Sequence, residues 1–136
     1  MKYFDTDVLV NFFVRQAKAP HLHEIARNVV QEVTDAGLFL VSTHSLNELV
    51  FALAKCGTNR DEILKNVAIL YASEPVSVTL DQFKRATEIA YQVSFHHGSD
   101  CLHTAIAETY CDELYTFNRS DFQLIQHHTR LKITIL

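Results

Sequence analysis

Four acids and one amide stand out by where they fall in the chain: Asp5, Glu48, Asp100 and Asp121, with Asn118 beside the last of them. Each lies just after a short apolar run, or in the first turn of a helical pattern. Oxygen donors of this kind suit hard divalent cations such as Mg2+ and Mn2+. Carboxylates gathered without a cation repel one another, so they cost stability or take up protons. A working cluster therefore predicts a metal. Each acid also has a plainer explanation. Asp5 could cap the first helix, and Glu48 could be the return half of a capping box with Ser45. Asp100 could favour a helix N-terminus by its charge, and Asp121 could cap a last short helix. Capping alone does not explain why all of them fall at one edge of one inferred sheet.

That sheet follows from the alternation of short apolar runs with longer helical periods. Residues 2–4 read as a strand ending at Asp5-Thr6-Asp7, and residues 8–16 as a helix. A second helix over 23–35 places Ile25, Ala26, Val29, Val30 and Val33 at helical spacing and stops at Gly37. Strands are expected at 38–41, 76–79, 113–117 and 132–136. Helices are expected from Ser45 to about residue 55, after Thr58 or Asn59 up to Pro75, over 81–93 and over 100–110, the last capped by Ser99. A short helical turn fits 121–126. Strands alternating with helices imply a mostly parallel sheet of about five strands, covered on both faces in a three-layer α/β/α arrangement. In such sheets ligands bind beyond the carboxyl ends of the strands, which is where the acids fall.

At 136 residues, residues 1–136 are expected to form a single domain. With 3 Gly and 2 Pro, disorder and long linkers are excluded. No apolar run approaches the roughly 18 residues of a membrane span. The opening MKYFDTDVLVNFF carries acids inside its apolar stretch and does not read as a signal peptide, so a cytoplasmic location is expected. Cys56, Cys101 and Cys111 lack CxxC spacing and are expected to be buried free thiols. The formal charge of −4 argues against holding nucleic acid by bulk charge, so any such role needs a local offset, which bound cations would supply. The eight histidines are expected to be structural or solvent-facing, with His103 near the rim of the acids. Arg15, Lys18, Arg119 and Arg130 are the basic residues that could meet phosphates.

The stretches YFDTDVLVNFF, VSTHSLNELVFAL and GSDCLHTAIAETYCDELYTFNRSDF, in that order, resemble the PIN domain, the small nuclease fold used by VapC-type toxins of type II toxin–antitoxin pairs. The likeness spans nearly the whole chain. It implies a PIN-like fold and Asp5, Glu48 and Asp100 as core acids. Many members carry Asp where this chain has Asn118, which leaves the fourth ligand open between Asn118 and Asp121, and with it the number of metals. Thr6 and Thr116 match hydroxyl positions that orient acids or substrate, and Asp7 is expected to point away. The implied activity is endoribonuclease hydrolysis with Mg2+ or Mn2+: water activated by the metal attacks phosphorus in line and leaves a 5′-phosphate and a 3′-hydroxyl. The implied partners are RNA, a small antitoxin protein and a second copy in a homodimer.

Other classes compete. The FDTDV opening also resembles haloacid-dehalogenase-type phosphatases, which would need a later Lys and a further acidic pair that this chain lacks. A response-regulator receiver would want a Lys after its last strands, and none follows. A non-catalytic PIN-like protein-binding module would be signalled by loss of core acids, and three remain.

Overall fold

In a computed structural model describing residues 1–136, the first strand, β1 (Lys2–Phe4), decides how the layers form. Successive strand residues point to opposite faces, so Tyr3 enters one hydrophobic core and Phe4 the other. The other strands are β2 (Phe39–Leu40), β3 (Glu113–Thr116) and β4 (Lys132–Ile135). They pair in the order β2-β1-β3-β4, all parallel, with Lys2 opposite both Phe39 and Glu113 and with Glu113 opposite Lys132.

Parallel neighbours require crossovers, and seven helices supply them: α1 (Thr6–Phe13), α2 (His21–Asp35), α3 (Thr43–Lys55), α4 (Arg60–Tyr71), α5 (Leu80–Gln92), α6 (Gly98–Tyr110) and α7 (Arg119–Ile125). On one face Ala86, Ile89 and Ala90 of α5 meet Cys101, Ala105 and Ile106 of α6 and Phe122 and Ile125 of α7 over Tyr3 and Leu114. On the other, residues of α1 to α4 cover Phe4, whose ring stacks between Phe39 and Tyr115 at centroid distances of 5.5 and 5.2 Å. The three-layer α/β/α expectation therefore holds. No helix is long and apolar enough to cross a membrane.

The sheet has four strands where about five were expected. The run at 76–79 contributes only one bridge, Ser42 to Val76. Pro75 precedes it and lacks a donor, and Thr79 is already the N-cap of α5, in a capping box with Gln82. Too few residues remain between those two commitments to extend a ladder. Helix α1 stops at Phe13, three residues short of expectation, because Val14 is extended. Of the three thiols, all free, only Cys101 is buried, and Cys56 is exposed, against expectation.

Beneath the strands' amino ends a row of charges crosses the sheet. Glu113 accepts from Lys2 Nζ at 2.9 Å, from Lys132 Nζ at 2.7 Å and from the Thr134 hydroxyl. Burial alone would raise the Glu113 carboxyl, but these donors outweigh it and hold it at about 2. Because that lies below the ordinary 4.5, the stabilisation is complete above about pH 4.5 and is lost as the pH falls towards 2. Glu113→Gln should therefore lower stability by about 1–3 kcal/mol at pH 7 and by much less at pH 3. Urea unfolding at the two pH values checks this, and equal losses would show that the charge contributes nothing.

Candidate functional site

The carboxyl ends of β1 and β3 and the first turns of α1, α3, α6 and α7 meet at one edge of the sheet. Asp5 follows β1 directly and is buried. Its Oδ1 accepts from the Thr6 backbone N–H at 2.8 Å, so it does cap α1. Its Oδ2 accepts from the Thr116 hydroxyl at the end of β3, also at 2.8 Å. The two bonds fix the carboxylate in orientation. Burial raises its pKa; the nearby imidazole of His103 and the hydrogen bonds from Thr116 and Thr6 act against that rise.

Glu48 is not part of a capping box. Helix α3 begins earlier than the spacing suggests, with Ser42 as N-cap accepting from the Ser45 N–H at 3.1 Å. Glu48 is thereby left free, one turn in. Its Oε1 accepts from the Thr6 hydroxyl at 2.8 Å and pairs closely with His103 Nε2, while its Oε2 accepts from the Ser99 hydroxyl at 2.6 Å. Burial opposes the charge on Glu48, but His103 and the two hydroxyls outweigh it and hold the carboxyl at about 2.

Asp100 lies in the first turn of α6. Ser99 was expected to cap that helix, but the helix starts at Gly98 and Ser99 turns to Glu48 and to His44 Nε2, 2.9 Å away. The Asp100 carboxyl is pushed up to about 8, first by burial and then by the charge of Asp5. Asp7, expected to point away, faces the same edge. Its two oxygens lie 3.3 and 3.2 Å from the Phe117 N–H, just past β3. Burial and the Asp5 charge push it, too, up to about 8. Burial first, and the charge of Asp5 second, thus favour the protonated forms of Asp7 and Asp100.

At the fourth corner Asn118, not Asp121, caps α7. Its side-chain oxygen accepts from the Asp121 N–H at 3.3 Å and from the Ser120 hydroxyl at 3.0 Å. Its amide nitrogen donates to Asp121 Oδ2 at 2.8 Å and reaches Asp100 Oδ2 at 3.4 Å. Asn118 thus turns its donor to the carboxylates and its oxygen to the helix end. Asp121 is held below the usual carboxylate range, chiefly by the Asn118 hydrogen bond, and pairs with His97 Nδ1 at 3.4 Å.

His103, expected at the rim, is one of the most deeply buried polar residues. Its Nδ1 bonds the Tyr3 hydroxyl at 2.8 Å, and its Nε2 points to Glu48 and lies 3.6 Å from Asp5 Oδ1. Burial works against a charge on the ring, but Tyr3, Glu48 and Asp5 outweigh it and raise the pKa well above the ordinary value. The spacing held the signal: residues 100 and 103 lie one helical turn apart and share a face. Donor atoms come within 4.8 Å of one another in two groups: His44, Glu48 and His103, and His97, Asp100 and Asp121. Asp5 lies between, close to His103 and felt by Asp100.

Of the basic residues, Arg119 adjoins this edge as the first residue of α7. Arg130 does not. It lines a depression with Arg85, Cys111 and Asp112 ahead of β3 and β4, at the far end of the sheet.

This edge, with acids following parallel strands and a T-x-N segment after β3, agrees with the comparison of the whole chain: the family model for the PIN domain matches residues 2–126. The chain belongs to the PIN-domain family. No curated protein and no solved structure matches it. PIN domains are in general metal-dependent nucleases. The acidic groups at this edge are compatible with such chemistry.

Because Asp7 and Asp100 bind protons in the folded chain up to about pH 8, and ordinary aspartates lose them near 3.8, folding without a cation should weaken as pH rises between those values. In divalent-free buffer, Asp100→Asn should raise Tm at pH 8 by about 3–6 °C and flatten the fall in stability between pH 5 and pH 8. Differential scanning calorimetry measures both, and a wild-type Tm that climbs over that range would refute the assignment of protonated aspartates.

Proposed function

We propose that the chain is an endoribonuclease dependent on Mg2+ or Mn2+, acting in the cytoplasm as the toxin of a type II toxin–antitoxin pair. The observation that carries this reading is the convergence of Asp5, Asp7 and Asp100 at the carboxyl edge of the sheet, with two carboxyls driven to about 8 by burial and mutual charge. A cluster that takes up protons for want of positive charge fits a divalent cation, and oxygen donors fit a hard one. Asp5, Glu48 and Asp100 would hold it, with Asp121 and Asn118 at the fourth corner. The bound cation would supply the charge that steadies the phosphate oxygens and makes nearby water acidic enough to attack.

The chain's own groups prepare that event. Thr116 and the Thr6 N–H fix both oxygens of Asp5. A ligand so restrained loses little freedom on binding. Thr6 and Ser99 donate to opposite oxygens of Glu48, so this carboxylate too arrives oriented. The Asn118 amide steadies Asp121 beside Asp100. Asp100 would have to give up a proton to hold a cation, so binding should tighten as pH rises through about 8.

The toxin reading rests on the likeness of the three ordered segments to VapC-type proteins; the family match over residues 2–126 supports the broader PIN-domain nuclease reading. It carries with it an antitoxin that covers this edge and a homodimeric state. Asp5→Asn and Asp100→Asn should each reduce Mg2+- or Mn2+-dependent cleavage of RNA on the order of 10²–10³-fold, with circular dichroism unchanged. Asn118→Ala should cost about tenfold, because it removes an orienting amide and no charge. Full cleavage by either folded aspartate variant would sink the proposal.

A further inference from the structure

We propose that His44, Glu48 and His103 form a second cation site, of mixed nitrogen and oxygen donors, that takes Zn2+ in preference to Mg2+. Residues 44 and 48 are one turn apart on α3 and present their donors on one face. His44 Nε2 lies 3.7 Å from Glu48 Oε1, and His103 Nε2 contacts the same oxygen from α6. The two imidazole rings are 4.5 Å apart, centroid to centroid. All three donor atoms fall within 4.8 Å of one another.

A buried His103–Glu48 pair would be complete with one imidazole. It does not need the second ring nitrogen that His44, while bonded to Ser99, holds 3.7 Å from the same carboxylate oxygen, whereas two imidazoles and a carboxylate with donor atoms within 4.8 Å of one another are what a borderline cation binds. Zinc sits about 2.0–2.2 Å from such donors, which puts tetrahedral ligand atoms about 3.4 Å apart. The His44–Glu48 separation of 3.7 Å is close to that already. The His103–Glu48 contact must open, and the Thr6 hydroxyl bond to the same oxygen must adjust with it. His44 Nε2 must also give up its bond to Ser99. Three protein donors leave a fourth position open, bordered by Asp5 Oδ1 at 3.6 Å from His103 Nε2.

The surroundings have the form of a metal ligand's outer shell. His103 Nδ1 is tied to the Tyr3 hydroxyl, which is itself held by Ser42 at 2.7 Å and Ser45 at 2.8 Å. With Nδ1 engaged, Nε2 is the ligand atom and the ring cannot turn. Mg2+ prefers oxygen and keeps its waters, so two imidazoles discriminate against it, whereas Zn2+ is bound well by imidazole. Glu48 is shared with the carboxylate set, so zinc held here withdraws it and inhibits cleavage; that consequence rests on the nuclease reading, while the binding site does not.

The test uses the full chain freed of metal. Zn2+ affinity is read by competition with a chromogenic chelator, and Mg2+ affinity by calorimetric titration. Wild type should bind Zn2+ at least about 100-fold more tightly than Mg2+. His44→Ala and His44→Gln should each weaken Zn2+ binding by about 10–100-fold, and at least tenfold more than they weaken Mg2+ binding. In the wild type, Zn2+ and not Mg2+ should shift the imidazole Nε2 resonances of both His44 and His103. Unchanged Zn2+ affinity in the folded variants, or shifts confined to other histidines, overturns the proposal. RNA cleavage with Mg2+ is scored separately. A chain that binds Zn2+ through His44 but cuts no RNA overturns the nuclease reading and leaves this one standing.

Discussion

Like charges brought out of water must be compensated, and the edge of this sheet is built around that constraint. Asp5, Asp7 and Asp100 approach one another where solvent is scarce, and no lysine or arginine pairs with any of them. Their pKa values are raised by burial instead, and a single buried imidazole, His103, offsets the charge of Asp5 and Asp100. The protein's arginine and lysine ion pairs lie elsewhere: Lys2 and Lys132 serve Glu113, and Arg85 serves Glu108 and Glu88. Fixed positive charge near the acids would have satisfied them permanently and left them no need of a cation.

The fold sustains this arrangement because the cost is met by packing away from the edge. Two cores flank the sheet, and Tyr3 and Phe4, neighbours in β1, anchor one each. Asp5 comes next in the chain, so its position is set by two large rings that cannot shift without opening both layers. Thr116, at the end of β3, is set in the same way by the parallel register of Phe4 with Tyr115. The bond between Thr116 and Asp5 is therefore a consequence of strand pairing.

Much of this was legible in the chain itself. The alternation of strands and helices, the acids after apolar runs and the ordered segments around residues 5, 48, 100 and 118 give the layers and the edge where ligands bind. What escaped was side-chain direction within the first turns. The Ser45–Glu48 spacing matches a capping box, but Ser42, at the end of an extended segment, had a prior claim on the helix start. Asp7 was misplaced because its partner, the Phe117 N–H, is 110 residues away. The expected strand at 76–79 failed because Pro75 and the Thr79 cap left it no length. His103 was misjudged because burial of a polar ring depends on Tyr3 and Glu48 across the interface, which no local pattern records.

Helix α6 carries Ser99, Asp100 and His103 within little more than one turn, and its Cys101, Ala105 and Ile106 share one hydrophobic core with Ala86, Ile89 and Ala90 of α5. A densely packed core of this kind leaves little room for a helix to shift. The three polar side chains on α6 are thus placed together by the seating of one helix in that core. Methyl groups added at buried Ala90 would overpack the core in which α6 is seated and so disturb all three at once, with none of the polar residues altered. The mutational footprint of the site therefore extends to residues that never meet a ligand.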